Sequence, residues 1–242
     1  MISLLTKLFS KKDAAPPFCS AVVPAAGSSR RMGGENKLLS SLGGAPVIAR
    51  TVQALEQSEY ISEIILAVRE EDLLMMAEIC KAYSVSKPLK LVVGGESRQE
   101  SVMAALGECD SRAAFVAVHD GARPLVEKDV IDRTIERAFS CAAAAPAVPV
   151  KDTIKVAADH IVQDTPDRST LFAVQTPQVF DIDLLRTALQ SAADSNASVT
   201  DDCSAVERIG KEIYLTDGSY TNIKITTPED LILAEAIWNS RG

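Results

Sequence analysis

Two stretches of this chain set charged residues beside small ones in a pattern suited to phosphate chemistry. The first runs Pro24-Ala25-Ala26-Gly27-Ser28-Ser29-Arg30-Arg31-Met32-Gly33-Gly34-Glu35-Asn36-Lys37. Side chains this small let backbone N–H groups approach phosphate oxygens, and basic residues at each end of the loop would neutralise a triphosphate. The order fits neither G-x-G-x-x-G nor G-x-x-x-x-G-K-[ST], which argues against a nicotinamide cofactor or a Walker-type ATPase. Taken alone, the stretch suits an ordinary strand-to-helix turn with solvated basic residues equally well. The second is Val118-His119-Asp120-Gly121-Ala122-Arg123-Pro124. Here Asp120 falls at the carboxyl end of an apolar run, where open α/β sheets bind ligands. Magnesium asks for one or two carboxylates and takes its other oxygens from phosphate and water, so Asp120 beside a phosphate loop is a candidate metal ligand. A turn or helix-cap role fits the same aspartate. His119 reads as a packing or hydrogen-bonding residue, because phosphoryl-type transfer needs charge neutralisation more than a proton shuttle.

These stretches must be held by something rigid. Short β-branched runs alternate with helical patterns: Ala21 to Val23, then Val47 to Gln57; Ile64 to Val68, then Asp72 to Tyr83; Leu89 to Val93, then Gln99 to Cys109; Ala114 to Val118, then Lys128 to Ser140. Such alternation predicts an α/β, Rossmann-like, mostly parallel sheet with helices on both faces. The rhythm then breaks. Ala143 to Val150 is followed by two short extended segments, Asp152 to Val156 and Ile161 to Asp164, around an Ala-Ala-Asp-His turn. They predict a β-hairpin arm over about residues 150–172, whose exposed edges would pair most simply with a second copy of the chain. Helices near Ile182 to Ala192 and Asp201 to Ile209, strands at Glu212 to Leu215 and Asn222 to Ile225, and a helix opening at Thr227-Pro228-Glu229-Asp230 complete the pattern. Asp201 and Asp202 read as caps of their helix, and Gly43-Gly44 as a turn.

Composition narrows the function classes. With 242 residues, 47% of them hydrophobic, the chain can bury a sizeable core, and nothing in its middle resembles a linker or repeat. One domain over residues 18–242 follows, behind an N-terminal extension, 1–17. That extension carries an apolar stretch broken by Lys7 and reads as a frayed amphipathic helix, neither a signal peptide nor a membrane span. A net charge of -8 argues against a nucleic-acid-binding surface. The five scattered cysteines form no C-x-x-C pair and point to reduced thiols in a cytoplasmic setting, while two histidines make a zinc site of the usual spacing improbable.

Six strings in order, PAAGSSRRM, VHDGARP, PVKDTIK, AVQTPQVF, VTDDCSAVE and NIKITTPEDLILAE, resemble the 2-C-methyl-D-erythritol 4-phosphate cytidylyltransferases over about residues 19–240. The resemblance implies a homodimeric, metal-dependent enzyme of non-mevalonate isoprenoid synthesis that joins CTP to a methylerythritol phosphate and releases pyrophosphate. Matching positions imply that Pro24, Ala25, Ala26 and Gly27 bind CTP, with Gly94, Gly95 and Ser101 around cytosine and ribose. Arg31 and Lys37 would stabilise charge at the α-phosphate, and Asp120 would hold Mg2+ or another divalent cation and touch substrate. Arg123, Thr153, Arg168, Thr176, Thr200 and Lys224 would take the sugar phosphate, Arg168 and Lys224 positioning it for attack, with several of these residues reaching across the dimer through the arm. A phosphate monoester is already nucleophilic near neutral pH, so positioning and electrostatics suffice and no Ser-His-Asp array is needed. On the residues alone, the threonines suit turns or caps, Arg168 a surface ion pair and Lys224 a solvated edge.

The chain departs from the family pattern near Lys37. The spacing from Arg31 is one residue shorter than is common, Asn36 stands where a proline is usual, and Leu38 and Leu39 replace a frequent glutamine and aromatic. Arg30 is therefore an alternative to Arg31. Two other functions compete: a cytidylyltransferase for another polyol phosphate such as ribitol 5-phosphate, and a catalytically silent nucleotide-binding module on the same fold.

Overall fold

The computed structural model describes residues 15–27, 36–83 and 85–241. Arg30, Arg31 and nearly all of the N-terminal extension lie outside the described residues.

Strand β1 (Cys19–Pro24) lies at the centre of the main sheet and pairs in parallel with β4 (Ile61–Val68) on one side and β6 (Phe115–Val118) on the other. Beyond β4 the sheet ends at the parallel strand β5 (Leu89–Val93). These strands alternate strictly. Cys19, Ala21 and Val23 face one core and Val22 the other, while Ile64, Leu66 and Val68 oppose Ile65 and Ala67. Period-two side chains with both faces apolar require cover on both sides. One face is covered by α1 (Val47–Glu56), α4 (Lys128–Cys141) and α7 (Pro228–Asn239), with Met76 and Cys80 of α2 (Leu73–Ala82). Across the sheet lie α3 (Arg98–Gly107), α5 (Ile182–Asp194) and α6 (Asp202–Arg208). The α/β, mostly parallel architecture with helices on both faces matches the sequence expectation.

The far half of the sheet is where the sequence reading was incomplete. A strand at Gln178–Asp181 (β11) inserts antiparallel between β6 and β7 (Ala143–Pro149), and Phe172–Val174 (β10) pairs antiparallel with the end of β7. Strand β12 (Tyr214–Asp217) runs parallel to β7. The expected strand at Asn222 to Ile225 does not form. That segment is a strap over the loop that follows β6, tied down where the Ile225 amide donates to the Ala122 carbonyl at 2.9 Å. The arm is present, with β8 (Val156–Ala158) and β9 (Ile161–Asp164) paired around Asp159 and His160, both at positive φ. Its first strand is shorter and later than the predicted Asp152 to Val156. A second small hairpin joins β2 (Ser41–Leu42) and β3 (Ala45–Pro46) through the Gly43-Gly44 turn.

Candidate functional site

The carboxyl ends of β1 and β6, the start of α3 and the 222–225 strap enclose a cleft. Its walls carry Pro24, Ala25, Ala26, Gly27, Lys37, Gly95, Ser101, Asp120 and Lys224, nine residues singled out by sequence, and also Arg98. A larger groove of about 930 Å3 lies between α3 and α5, away from the strand ends and from all of these residues.

Asp120 is the electrostatic centre. The residue is 8% exposed, and its carboxylate meets three cations: Lys224 Nζ at 2.8 Å, Arg98 Nε at 3.4 Å and Arg123 Nε at 3.6 Å. Burial alone would raise the Asp120 pKa, but the charges of Lys224, Arg98 and Arg123 outweigh it and hold the carboxyl well below the usual range. Asp120 is therefore an anion at any physiological pH.

The backbone around Asp120 is fixed by its buried neighbours. The Asp120 amide donates to Thr176 Oγ1 at 3.1 Å, so the Thr176 hydroxyl proton is left to donate to His119 Nδ1, also at 3.1 Å. This assigns His119 the tautomer with Nε2–H, which donates to the Arg123 carbonyl at 3.1 Å. Burial pushes the His119 pKa down from 6.5 to about 4, so the ring is a neutral brace. Asn222 extends the network, its side-chain amide donating to the Thr176 carbonyl at 3.0 Å while its backbone carbonyl accepts from Arg123 Nη1 at 2.6 Å. With Asn222 and Ile225 both pinned, Lys224 between them is carried over Asp120.

The opposite wall depends on close approach. A Cβ at Gly94 would lie 2.7 Å from Ser101 Oγ and 2.9 Å from Ala26 Cβ, so only glycine lets these three segments meet. Ser101 Oγ accepts from the Gly95 amide at 3.2 Å and donates to the Ser97 carbonyl at 2.9 Å. A capping box between Ser97 and Glu100 starts α3 and sets Arg98 on its first turn.

Not every expected residue joins the cleft. Thr153 and Arg168 are exposed on the arm and its base; the Arg168 guanidinium donates to the Lys151 carbonyl at 2.9 Å. Thr200 is exposed just before α6. Thr176 is buried and contributes through its hydroxyl brace. Arg31 lies outside the described residues. One expectation is corrected: Asp201 caps α6, accepting from the Ser204 amide at 2.9 Å, but Asp202 does not. Asp202 is 1% exposed and pairs with Arg98 Nη2 at 2.7 Å. Sequence reasoning passed over Arg98 altogether, although an arginine directly after the serine of a Ser-x-x-Glu box is a visible sign of a cation at a helix start.

A divalent cation fits this donor set only in part. Among the described residues no three His, Cys, Asp or Glu side chains cluster, so a cation held by Asp120 would take most of its ligands from phosphate and water oxygens. That is the mode in which magnesium accompanies a nucleotide. Among the described residues no helix is long and apolar enough to cross a membrane, and all five cysteines are free thiols.

Comparison with known proteins agrees with the motif reading. The family model for IspD, 2-C-methyl-D-erythritol 4-phosphate cytidylyltransferase, matches residues 19–240. Over 219 residues the chain is 44% identical to the 2-C-methyl-D-erythritol 4-phosphate cytidylyltransferase of Halalkalibacterium halodurans, covering 90% of this chain and 96% of that one. Its fold superposes on the crystal structure of 4-diphosphocytidyl-2C-methyl-D-erythritol synthase from Anaerococcus prevotii with a TM-score of 0.83, at 32% identity, over 92% of this chain and 96% of that one. The Thermus thermophilus 2-C-methyl-D-erythritol 4-phosphate cytidylyltransferase gives 0.75 at 30% identity, over 92% and 99%. These matches span nearly the whole of both partners, and the chain belongs to the 2-C-methyl-D-erythritol 4-phosphate cytidylyltransferase family.

Proposed function

We propose that this protein transfers the cytidylyl group of CTP to 2-C-methyl-D-erythritol 4-phosphate, forming 4-diphosphocytidyl-2-C-methyl-D-erythritol and pyrophosphate. The observation that carries the reading is the pairing of Lys224 with Asp120, at 2.8 Å, in a cleft that also holds Lys37 and the Ala25-Ala26-Gly27 segment. Two polyanions must meet there before a phosphate oxygen of one can attack the α-phosphorus of the other. Cations and backbone donors on several elements meet that need.

In this mechanism Pro24, Ala25, Ala26 and Gly27 receive the nucleotide, and Gly94, Gly95 and Ser101 form the wall for cytosine and ribose. Lys37 and Arg31 offset the charge that grows on the α-phosphate as the new bond forms and the bond to pyrophosphate breaks. Lys224 orients the attacking phosphate, with Arg123 held close by its hydrogen bond to the Asn222 carbonyl. Thr176 fixes the Asp120 backbone, and Thr200 extends the sugar-phosphate side. Asp120 would hold Mg2+ or another divalent cation, which when bound supplies charge neutralisation on the phosphates. No residue is required as a general base, and the buried neutral His119 offers none.

Thr153 and Arg168 reach a site only from a neighbouring molecule in this reading. The arm they flank, residues 150–172, exposes Ile161 at 67% and Val162 at 54%, more apolar surface than an isolated hairpin tolerates well. We therefore read the protein as a cytoplasmic homodimer of single-domain chains, residues 18–242, joined through this arm. The test is pyrophosphate release from CTP and Mg2+ with methylerythritol 4-phosphate or with ribitol 5-phosphate. Release with the first alone is expected. Release with ribitol 5-phosphate would transfer the reading to that substrate, and none with either would leave a silent module.

A further inference from the structure

The proposed mechanism leaves one half-buried ion pair without a task. Asp202 is 1% exposed at the start of α6, and its partner Arg98 lines the cleft. Their contact joins residues 104 positions apart at 2.7 Å. Asp202 is itself fixed: the Gln178 side chain accepts from the Asp202 and Cys203 amides, both at 3.1 Å, and donates to Asp201 at 2.7 Å. Gln178 is 2% exposed on β11, so the sheet holds the helix start and the helix start holds the arginine.

An ion pair with one carboxylate buried and its arginine partly exposed contributes little net stability against apolar residues of the same shape, so stability alone does not account for it. Geometry suggests another use. Arg98 divides one edge of its guanidinium between two carboxylates, Nη2 to Asp202 at 2.7 Å and Nε to Asp120 at 3.4 Å. Among the described residues no acceptor engages Nη1. The Asp120 contact is the long, weak one, and a divalent cation at Asp120 would repel Arg98 from it. Asp202 would then be the only carboxylate keeping the guanidinium in the wall.

Resting on the cytidylyl-transfer reading, we propose that Asp202 is a positioning residue that keeps Arg98 in the cleft as a binding group for the phosphates of the incoming nucleotide. Arg98 exchanges its weak bond to Asp120 for a phosphate oxygen while its bond to Asp202 persists. Release of Asp120 and capture of the nucleotide are thereby one rearrangement.

The test is calorimetric titration of CTP with Mg2+ and no sugar phosphate, on wild type, Asp202→Asn, Arg98→Gln and the double variant, with steady-state kinetics alongside. Each single variant is expected to weaken CTP binding about tenfold, the scale of one lost charge-assisted hydrogen bond. KM for CTP should rise accordingly, while KM for the sugar phosphate stays within about twofold. The double variant should bind no worse than Arg98→Gln, because Asp202 acts only through Arg98. Wild-type CTP affinity in folded Arg98→Gln or Asp202→Asn overturns the proposal, as do losses that multiply in the double variant. Should Asp202→Asn not fold, Arg98→Gln decides by the same affinity criterion. A wild-type protein that binds no CTP would instead overturn the function proposed for the cleft.

Discussion

Asp120 and Arg168 occupy contrasting surroundings. Asp120 is held within the body of the chain by three cations, a buried threonine and a neutral histidine. Arg168 sits on an exposed short turn at the arm, with one hydrogen bond to Lys151 nearby. A monomer can preorganise the first environment, because sheet, helix start and strap converge on it. It cannot do so for the second, where the fold supplies no surrounding wall. Most of the expected residues are thus gathered by the chain's own packing, while Thr153 and Arg168 stay exposed on the arm and its base.

Breaking the cleft should have the largest effect. Lys37→Ala is expected to lower turnover about 1,000-fold, the scale of losing a cation or donor at a developing charge, with an unchanged circular dichroism spectrum. A variant with wild-type turnover would remove Lys37 from the mechanism. Next comes the brace beneath Asp120. His119 is neutral when folded, with a pKa of about 4 against 6.5 for a free ring, so between these values the unfolded chain binds more protons. Its contribution is therefore present above pH 6.5 and is lost as pH falls toward 4, up to ~3 kcal/mol in all. Urea titrations at pH 7 and pH 4.5 should show that His119→Gln flattens this part of the profile. An unchanged slope would mean that another group causes it.

The arm should respond differently. Arg168→Ala is expected to cost about 100-fold in kcat/KM with little change in melting temperature, because no packing depends on it. Co-expressed Arg168→Ala and Lys37→Ala chains sharpen the contrast: if arms serve neighbouring clefts, each mixed dimer regains one intact site, and if each arm serves its own cleft, none returns. The smallest effect belongs to a helix start that lines neither region. Thr227 caps α7 in a box with Asp230, and Thr227→Ala should cost about 1 kcal/mol in denaturant titration, with activity retained.

The same contrast explains what could be read from sequence. The parallel half of the sheet was legible because its strands are buried on both faces and therefore appear as β-branched runs. Strands β10 and β11 were not, because the Thr176-Pro177 break interrupts their pattern and their pairing is decided by neighbours far away in the chain. Ile223 and Ile225 alternate with Lys224 as in a strand, yet the segment is a strap held by hydrogen bonds to residues 122 and 123. In the cleft, Lys37, Asp120 and Lys224 could be expected from motifs. The Arg98–Asp202 pair could not, since nothing local links positions 104 apart, and an aspartate opening a helix resembles a cap. Arm residues were legible by type, but the fold gathers no cleft residue around Thr153 or Arg168 that could fix their role.

In the proposed reaction the Asp120–Lys224 cleft joins a sugar phosphate to a cytidylyl group. The most direct test is 31P NMR of CTP, Mg2+ and methylerythritol 4-phosphate incubated with wild type and with Lys224→Ala. The account predicts the paired resonances of an unsymmetrical diphosphate diester, together with pyrophosphate, for wild type, and unreacted CTP for the variant over the same time. Equal product from both, or none from wild type, would contradict it.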